Sequence, residues 1–431
     1  MIAYKLRIFL IAVIPLLFSI QSCNNNPQVK TDNGGSKSTA TSQATEVKIE
    51  KKEEVAKSPT PIPQPENEQK SVSSPPVSLK DFDRDRSNKF TDSAKFLAGI
   101  KVDEKSPLAA YQKSKAWNDH SYYFESAWKK LEQQQLSKIR KWTNTELKSI
   151  NQTARTIFYP FSGPDFLYAH LFFPKGTEYV MVGLEPIGNI LDITKIPAAH
   201  QIDGKLQEIN KSMNDILQLS FFRTKAMKVD LAEKGVLPIL FVFLARTNHR
   251  ILDVQYFKLN KDASIQLLKN NKNNSKGEVL GLKIDFVSEG ETLVRNLYYF
   301  PLDLSNDGLQ KTPEFKQFIK NLNKPVTYLK AASYLMHNDE FSEIRNLILS
   351  QSTNLLQDDS GMPIKYFDRA KWNLKFYGSY TQPIDLFKVR YQPDLRKIYQ
   401  SDPTIKPLNF GIGYQFEVNT SNLMLASRKE Q

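Results

Sequence analysis

The chain has 431 residues, and its 59 lysines and arginines against 46 acidic residues give a formal charge of +13. Its single cysteine, Cys23, excludes an internal disulfide and leaves no thiol for a catalytic or zinc site in the rest of the sequence. The positive excess is scattered, without the clusters of lysine, arginine and aromatic residues typical of nucleic-acid-binding proteins, so we expect no nucleic-acid partner.

The N-terminus combines positive charge with a short apolar segment. Lys5 and Arg7 precede the uncharged segment 8–20, whose 13 residues are too few to span a bilayer as a stable anchor. This pattern predicts an export signal over residues 1–22.

The end of the signal, Ile20-Gln21-Ser22-Cys23, resembles the lipobox of bacterial lipoprotein precursors. In that family the signal is removed, and the cysteine becomes the first residue and carries acyl chains. Ile20 and Gln21 depart from the commonest lipobox, and ordinary cleaved secretion is the alternative. The resemblance implies a lipidated Cys23 that holds the protein at a membrane, and Asn24 resembles the sorting pattern of outer-membrane lipoproteins. We therefore expect a cell-envelope location at the outer membrane, facing the periplasm or the cell surface.

The composition changes after the cysteine. Residues 24–80 contain seven prolines and no aromatic residue, and eight lysines against seven acids leave the segment nearly neutral. Such a segment cannot bury enough apolar surface to offset its ordering entropy. We predict that 23–80 is a disordered tether that acts as a spacer; a proline-rich docking segment at 59–65 is the alternative.

Residues 81–431 are rich in aromatic and apolar side chains and predict a globular body. They form either one large domain or a helical part, 81–152, followed by a sheet-containing part, 153–431. Apolar residues at helical spacing predict amphipathic helices. These run from about 121 to 142, from 203 to 216, from 312 to 322 and from 341 to 348.

A new helix is predicted to start at Thr143. Thr143 and Glu146 have the spacing of a capping box, in which each side chain binds a free backbone amide. Trp142 and Leu147 are placed to form the accompanying hydrophobic staple.

Several segments dense in β-branched and aromatic residues predict strands. They are 156–161, 179–184, 239–245, 251–259, 280–287, 293–300 and 372–380. Those between 239 and 300 are separated by short polar breaks, which favours antiparallel pairing. The pattern predicts an α+β fold with a mainly antiparallel sheet and flanking amphipathic helices.

Three turns place polar side chains directly after apolar segments, where chains commonly expose functional groups. In the first turn, Ser162 is a candidate nucleophile or ligand donor and Asp165 a candidate base, with His170 five residues further on. The alternative is a helix start, in which the hydroxyl and the carboxylate bind the free amides of a helix over 166–172. The Gly-x-Ser-x-Gly motif of a nucleophile elbow is absent here.

The second turn presents Glu185 at the end of an apolar segment. Apolar neighbours would raise the pKa of this carboxyl and suit it to general acid–base catalysis, whereas an exposed turn glutamate is the alternative. Together with Asp165 it offers the pair of carboxylates that glycoside hydrolysis requires.

The third turn contains the adjacent pair Asp358 and Asp359, which suits a cation or a sugar hydroxyl but also ordinary turn chemistry. Lys330, Ser333 and His337 precede it and are candidates for the same cleft.

Metal and cofactor sites are not expected. The five histidines are widely spaced, and the acidic residues from Asp81 to Asp92 match a calcium loop only in part, since Arg86 replaces its glycine and Lys89 a ligand. No glycine-rich loop of the nucleotide-binding kinds is present.

Three segments, 159–166, 183–186 and 356–363, resemble segments of uncharacterised secreted bacterial proteins with no known activity. The resemblance implies no catalytic residue, but it implies that the three turns belong to one surface. The sequence therefore favours an envelope protein that binds a protein or an envelope polymer without catalysis. The alternative is an envelope hydrolase that cleaves glycan or ester bonds with Asp165, Glu185 and the pair Asp358–Asp359 in one cleft.

Overall fold

The structure is a computed structural model. It describes residues 78–190, 193, 199–219, 235–269 and 278–429. The predicted export signal, Cys23 and the predicted tether up to residue 77 lie outside the described residues. The described residues belong to one compact unit, and none of their helices has the length and hydrophobicity needed to cross a membrane.

Ten strands in the described part of the chain form one mixed sheet. They are β1 (Thr156–Tyr159), β2 (Glu178–Gly183), β3 (His249–Leu259), β4 (Ile265–Leu268), β5 (Leu280–Ser288), β6 (Arg295–Pro301), β7 (Val326–Leu329), β8 (Asn354–Gln357), β9 (Trp372–Gly378) and β10 (Asn422–Arg428). Their order is β4-β3-β5-β6-β2-β1-β7-β8-β10-β9. The five strands from β6 to β8 are parallel, and the flanking strands pair antiparallel. The expected combination of a sheet with flanking helices is confirmed, but the sheet is mixed rather than mainly antiparallel.

Later strands of the chain are added on both sides of β1. It first adds β2 and later β6 on one side, and then adds β7 and β8 on the other side. In open sheets of this kind, the carboxyl ends of the parallel strands meet at one edge, and a crevice opens where the strand order reverses. The order of the strands therefore places a crevice beside the carboxyl end of β1.

Helices cover both faces of the sheet. They are α1 (Arg84–Leu97), α2 (Lys115–Leu131), α3 (Ser137–Glu146), α4 (Lys148–Thr153), α5 (Phe166–Phe172), α6 (Ala199–Leu219), α7 (Leu237–Arg246), α8 (Asn306–Lys311), α9 (Pro313–Asn321), α10 (Ser342–Gln351) and α11 (Pro393–Ser401), with a π-helical turn, Glu132–Leu136, between α2 and α3. Successive residues of β1 point to opposite faces, so Ile157 and Tyr159 enter one core and Phe158 enters the other. Residues of α1 to α7 belong to the first core, and residues of α8 to α11 belong to the second.

The predicted helices are confirmed, with changes at their ends. The first begins earlier, at Lys115, because Ser114 accepts a hydrogen bond from the Trp117 amide at 3.1 Å and caps it. Helix α9 begins at Pro313, as expected for proline in a first turn. Helices α6 and α10 bury apolar residues on one side, among them Met213 and Ile344.

One predicted strand is a helix. Residues 239–245 lie within α7, where every residue from Leu237 to Ala245 except Pro238 is buried. A segment that is apolar on all sides has no period that separates a buried strand from a buried helix. Pro238 in the first turn favours the helix.

The predicted helix start at Thr143 is wrong. Thr143 lies inside α3, and the helix ends after Glu146, where Leu147 leaves helical geometry. The Glu146 carboxylate does not cap a helix but accepts hydrogen bonds from Lys375 at 2.6 Å and Lys406 at 2.8 Å. It therefore joins α3 to β9 and to the segment that follows α11.

The Glu146 contacts predict a pH-dependent contribution to stability. Burial raises the pKa of this carboxyl, but hydrogen bonds from Lys375, Lys406 and Tyr377 outweigh burial and lower it from 4.5 to about 2. A carboxyl whose pKa is lower in the folded state stabilises the fold above its unfolded pKa, and this stabilisation is lost as the pH falls from 4.5 toward 2. Glu146→Gln should therefore lower the free energy of unfolding at neutral pH, and its difference from the wild type should shrink with acidification.

Urea unfolding at a series of pH values between about 6 and 3 measures this difference. Asp119→Asn is the control, because Asp119 forms only an exposed ion pair on α2. If the free energy of unfolding of Glu146→Gln differs from that of the wild type by the same amount at every pH in this range, the assignment is contradicted.

Candidate functional site

The carboxyl ends of β1, β2, β6 and β7 surround a cleft of about 190 Å³. It lies at the crevice that the strand order creates. The residues that line it are Tyr159, Phe161, Ser162, Gly163, Asp165, Val182, Gly183, Leu184, Glu185, Leu302, Asp303, Leu304, Lys330, Ala331, Ala332, Ser333, Leu335 and Phe341. Two of the three turns named from the sequence thus contribute to one concave surface.

The backbone around the cleft is strained. Phe161 after β1 has a φ of 60°, and Ala331, Ser333 and Tyr334 after β7 have φ values of 49°, 53° and 54°. Residues other than glycine rarely adopt this left-handed backbone conformation, and it persists only where surrounding contacts impose it. Strain of this kind concentrates at functional sites, and here it shapes the loops on both sides of the cleft.

Asp165 is buried, with 2% of its surface exposed, and it is fixed by three donors. Its Oδ2 accepts a hydrogen bond from the Tyr159 hydroxyl at 2.9 Å and lies 2.5 Å from Lys330 Nζ. Its Oδ1 accepts from the Tyr168 amide at 3.3 Å and so caps α5. The helix predicted over 166–172 is confirmed, and Asp165 is its N-cap.

Lys330 lies at the end of β7 and is 3% exposed. Its ammonium group lies 3.7 Å from the centre of the Tyr168 ring, which adds a cation–π contact to the ion pair with Asp165. Burial lowers the pKa of Lys330, and Asp165 acts in the opposite direction. Burial likewise raises the pKa of Asp165, against the effect of Lys330.

A residue from a distant part of the chain supports this ion pair through Tyr168. The Tyr168 hydroxyl donates to Oε1 of Gln135, which lies in the π-helical turn before α3. Such turns often occur near functional sites because they redirect one side chain. The turn thus supports the tyrosine on which the Lys330 ammonium rests.

Ser162 lies in the cleft, but its hydroxyl is engaged with the backbone. Its Oγ donates to the Gly163 carbonyl at 2.9 Å or to the Val182 carbonyl at 3.2 Å. No side-chain base of the described residues is hydrogen-bonded to it. A serine nucleophile needs such a base, so the geometry does not favour this role for Ser162.

Glu185 lies on the floor of the cleft and is 4% exposed. The Tyr299 hydroxyl donates to the Glu185 carbonyl at 2.9 Å and lies 3.5 Å from Oε2. The carboxylate lies against two glycines, since a Cβ at Gly183 would lie 2.6 Å from Oε2 and one at Gly163 would lie 3.4 Å away. Gly183 therefore leaves the room that the Glu185 carboxylate occupies.

Asp358 and Asp359 do not line the cleft. Both are buried behind the loop that follows β7, where Asp358 Oδ2 accepts from the Ala331 amide at 2.9 Å. Asp359 accepts from the Tyr334 hydroxyl and, at 3.0 Å, from Asn422. Burial raises the pKa of both carboxyls, and for Asp358 the neighbouring Asp359 adds to the effect. The pair holds the strained loop rather than a ligand in the cleft.

The other sequence candidates divide between the cleft and the rest of the structure. Lys330 and Ser333 line the cleft, whereas His337 lies in a separate depression. His170 packs in the aromatic core, with its ring centre 4.5 Å from that of His249. The described residues contain no group of three or more side chains placed to hold a metal ion.

Tyr159 and Asp303 also line the cleft, although the sequence did not single them out. Tyr159 is the last residue of β1, and Asp303 follows β6 by two positions. Both residues are polar and lie within two positions of the carboxyl end of a parallel strand. This pattern identifies site residues only when the strands that pair with each other are known, and the sequence does not reveal that pairing.

No protein-family profile matches the chain, and no curated protein sequence shows significant similarity to it.

The buried ion pair predicts strong energetic coupling between Lys330 and Asp165. Lys330→Met leaves the Asp165 carboxylate buried without its counter-ion, and we expect the free energy of unfolding to fall by about 3–5 kcal/mol. Adding Asp165→Asn, which keeps the helix cap, should recover much of this loss. A double-mutant cycle from urea unfolding measures the coupling.

The matched control is the exposed pair of Lys115 and Asp119 on α2, whose coupling should stay below about 1 kcal/mol. Additive effects of Lys330→Met and Asp165→Asn would show that the two charges do not depend on each other.

Proposed function

We propose that the chain is a bacterial envelope lipoprotein, anchored through Cys23 at the outer membrane, whose body binds a ligand in the cleft without catalysis. The lipobox-like residues before Cys23 and the positively charged, apolar signal support the anchor. The cleft supports the binding role.

One observation carries the binding role: a polar floor lies under an apolar rim. Asp165, Lys330 and Glu185 on the floor are almost fully buried, whereas Leu184 at the rim is 54% exposed. Ligand sites characteristically combine apolar walls with a few convergent polar groups, and they occur where strand order reverses. The cleft has all of these features.

The size of the cleft limits what enters it. A volume of about 190 Å³ is slightly larger than an engineered cavity of roughly 150 Å³ that holds benzene. The cleft therefore accommodates one side chain of a protein partner or one terminal unit of an envelope polymer. The remainder of such a ligand would lie across the rim.

Binding is favoured over bond cleavage because two of the three candidate catalytic side chains in the cleft are already engaged. The Ser162 hydroxyl is bound to backbone carbonyls, and Asp165 is held by Lys330 and Tyr159. A group fixed in this way orients a ligand but is poorly placed to exchange a proton with it.

The alternative is an envelope hydrolase that acts on glycan or ester bonds. One observation favours it: Ser162, Asp165 and Glu185 line the same cleft. Perturbed pKa values in a cleft are also common at catalytic sites. Release of product from p-nitrophenyl ester or glycoside probes, abolished by Glu185→Gln, would replace the binding role with this one.

The anchor predicts covalent labelling at Cys23. Cells that express the wild-type chain should incorporate labelled palmitate into it and retain it in the membrane fraction, because two or more acyl chains hold a protein firmly at a bilayer. Cys23→Ala should lose the label and leave the membrane fraction. Equal labelling of the two proteins would exclude the anchor.

The cleft predicts where small molecules bind. In saturation-transfer NMR with the purified full chain and a library of fragments of about ten non-hydrogen atoms, we expect hits that Leu184→Trp abolishes, because the larger ring fills the mouth. Leu267→Trp is the matched control, since Leu267 is 47% exposed on the edge strand β4. Hits that survive Leu184→Trp, or their complete absence, would remove the cleft as the binding site.

A further inference from the structure

The charges on the floor of the cleft do not balance. Asp165 and Lys330 form an ion pair and neutralise each other. Glu185 adds a second buried carboxylate, and Asp303 adds an exposed one at the rim, where it also caps the turn at Ser305. In a chain of formal charge +13, this cleft carries an excess of negative charge.

Glu185 has few partners for a buried carboxylate. Its contacts come from the Tyr299 hydroxyl, which lies 3.5 Å from Oε2 and donates mainly to the backbone carbonyl of the same glutamate. Burial and the Glu185 carboxylate raise the pKa of Tyr299, so this hydroxyl stays protonated and remains a donor. No lysine or arginine among the described residues forms an ion pair with Glu185.

A buried carboxylate without a counter-ion is unfavourable unless another donor satisfies it. Because Glu185 lines the cleft, a ligand is placed to supply that donor. A positively charged donor gains the most, since hydrogen bonds between ionised groups are stronger than those between neutral groups. An anionic ligand would meet repulsion from the same carboxylate.

The rim selects for an apolar group next to the charge. The rings of Phe161 and Phe341 meet edge to face at the mouth, with centres 5.9 Å apart, and Leu184 and Leu302 continue the apolar surface. Aromatic faces favour a nearby cation as well as apolar atoms. A ligand that matches both features combines a cationic head with a short apolar stem.

We propose that the cleft binds a primary ammonium group on an apolar stem, with Glu185 as its counter-ion. This inference rests on the proposed binding role of the cleft and specifies its ligand class. A free amine and a lysine side chain share this chemistry.

The test compares probes of the same shape. The purified full chain is titrated calorimetrically with 2-phenylethylamine, 2-phenylethanol and 3-phenylpropionate, and with an acetylated, amidated lysine as the side-chain source. We expect 2-phenylethylamine to bind at least about ten-fold more tightly than 2-phenylethanol, and 3-phenylpropionate not to bind. Comparison of 2-phenylethylamine with the lysine derivative distinguishes the two sources.

Variants assign the effect to one carboxylate. Glu185→Gln should weaken binding of 2-phenylethylamine by about ten-fold and leave 2-phenylethanol within about two-fold. Glu178→Gln is the matched control, because Glu178 lies at the opposite end of β2, the strand that precedes Glu185. The comparison of probes on the wild-type chain needs no variant and decides the question even where Glu185→Gln fails to fold.

The outcomes separate this inference from the proposed function. Equal binding of amine and alcohol, both abolished by Leu184→Trp, would overturn the ammonium assignment and leave the binding role of the cleft intact. Binding in the cleft of fragments that carry no amine, with no binding of 2-phenylethylamine, would have the same two consequences. Fragment hits that are absent, or that survive Leu184→Trp, would overturn both.

Discussion

The ion pair between Lys330 and Asp165 is the contact on which the cleft depends. Lys330 directly follows β7, and Asp165 caps the start of α5 after β1, so the pair joins two segments that are 165 residues apart at the point where the strand order reverses. Both charges are buried, and each would be strongly unfavourable without the other. The pair therefore fixes the separation of the β1 and β7 loops, and it places the Tyr159 hydroxyl and the first turn of α5 on the same floor.

The aspartates of the third turn support this arrangement from behind. Asp358 accepts a hydrogen bond from the Ala331 amide, and Ser360 Oγ accepts one from the Ala332 amide at 2.8 Å. These bonds fix a loop in which Ala331 adopts left-handed geometry. Gly413 permits the close approach, because a Cβ there would lie 1.9 Å from Asp358 Oδ2. The loop keeps its strain because a buried carboxylate and a buried hydroxyl satisfy two of its amides, and these bonds hold the lining of the cleft in place.

The sequence predicts those parts of the fold that local pattern determines. Strands β1, β2, β3, β5, β6 and β9 follow from dense β-branched and aromatic residues, and α5 follows from Asp165 before an apolar run. Strands β4, β7, β8 and β10 are not predicted; β4, β7 and β8 have four residues each, which are too few to show a period. The parallel centre was missed because pairing of β2 with β6 joins residues more than 100 positions apart, which no local pattern encodes.

The same limit applies to the site. Ser162, Asp165 and Glu185 were identified because polar residues after apolar strands lie at a sheet edge, and all three reach the cleft. Asp358 also follows an apolar strand, but that strand is β8, which lies beyond β7 in the sheet. The loop after β7 therefore lies between the Asp358 side chain and the cleft. Whether a side chain after a strand reaches the ligand or holds the neighbouring loop depends on strand order, which only the folded structure supplies.

The size of the cleft and the proposed location at a membrane are physically compatible. A group of about ten non-hydrogen atoms at roughly 0.3 kcal/mol per atom contributes about 3 kcal/mol, which corresponds to millimolar affinity. Such weak binding is ineffective between dilute soluble molecules. Confinement of a protein and its partner to one membrane surface raises their effective concentration to the same millimolar range, so that a shallow cleft becomes sufficient. The envelope anchor would therefore contribute to binding as well as to localisation, because it supplies the effective concentration of the partner that a cleft of this volume requires.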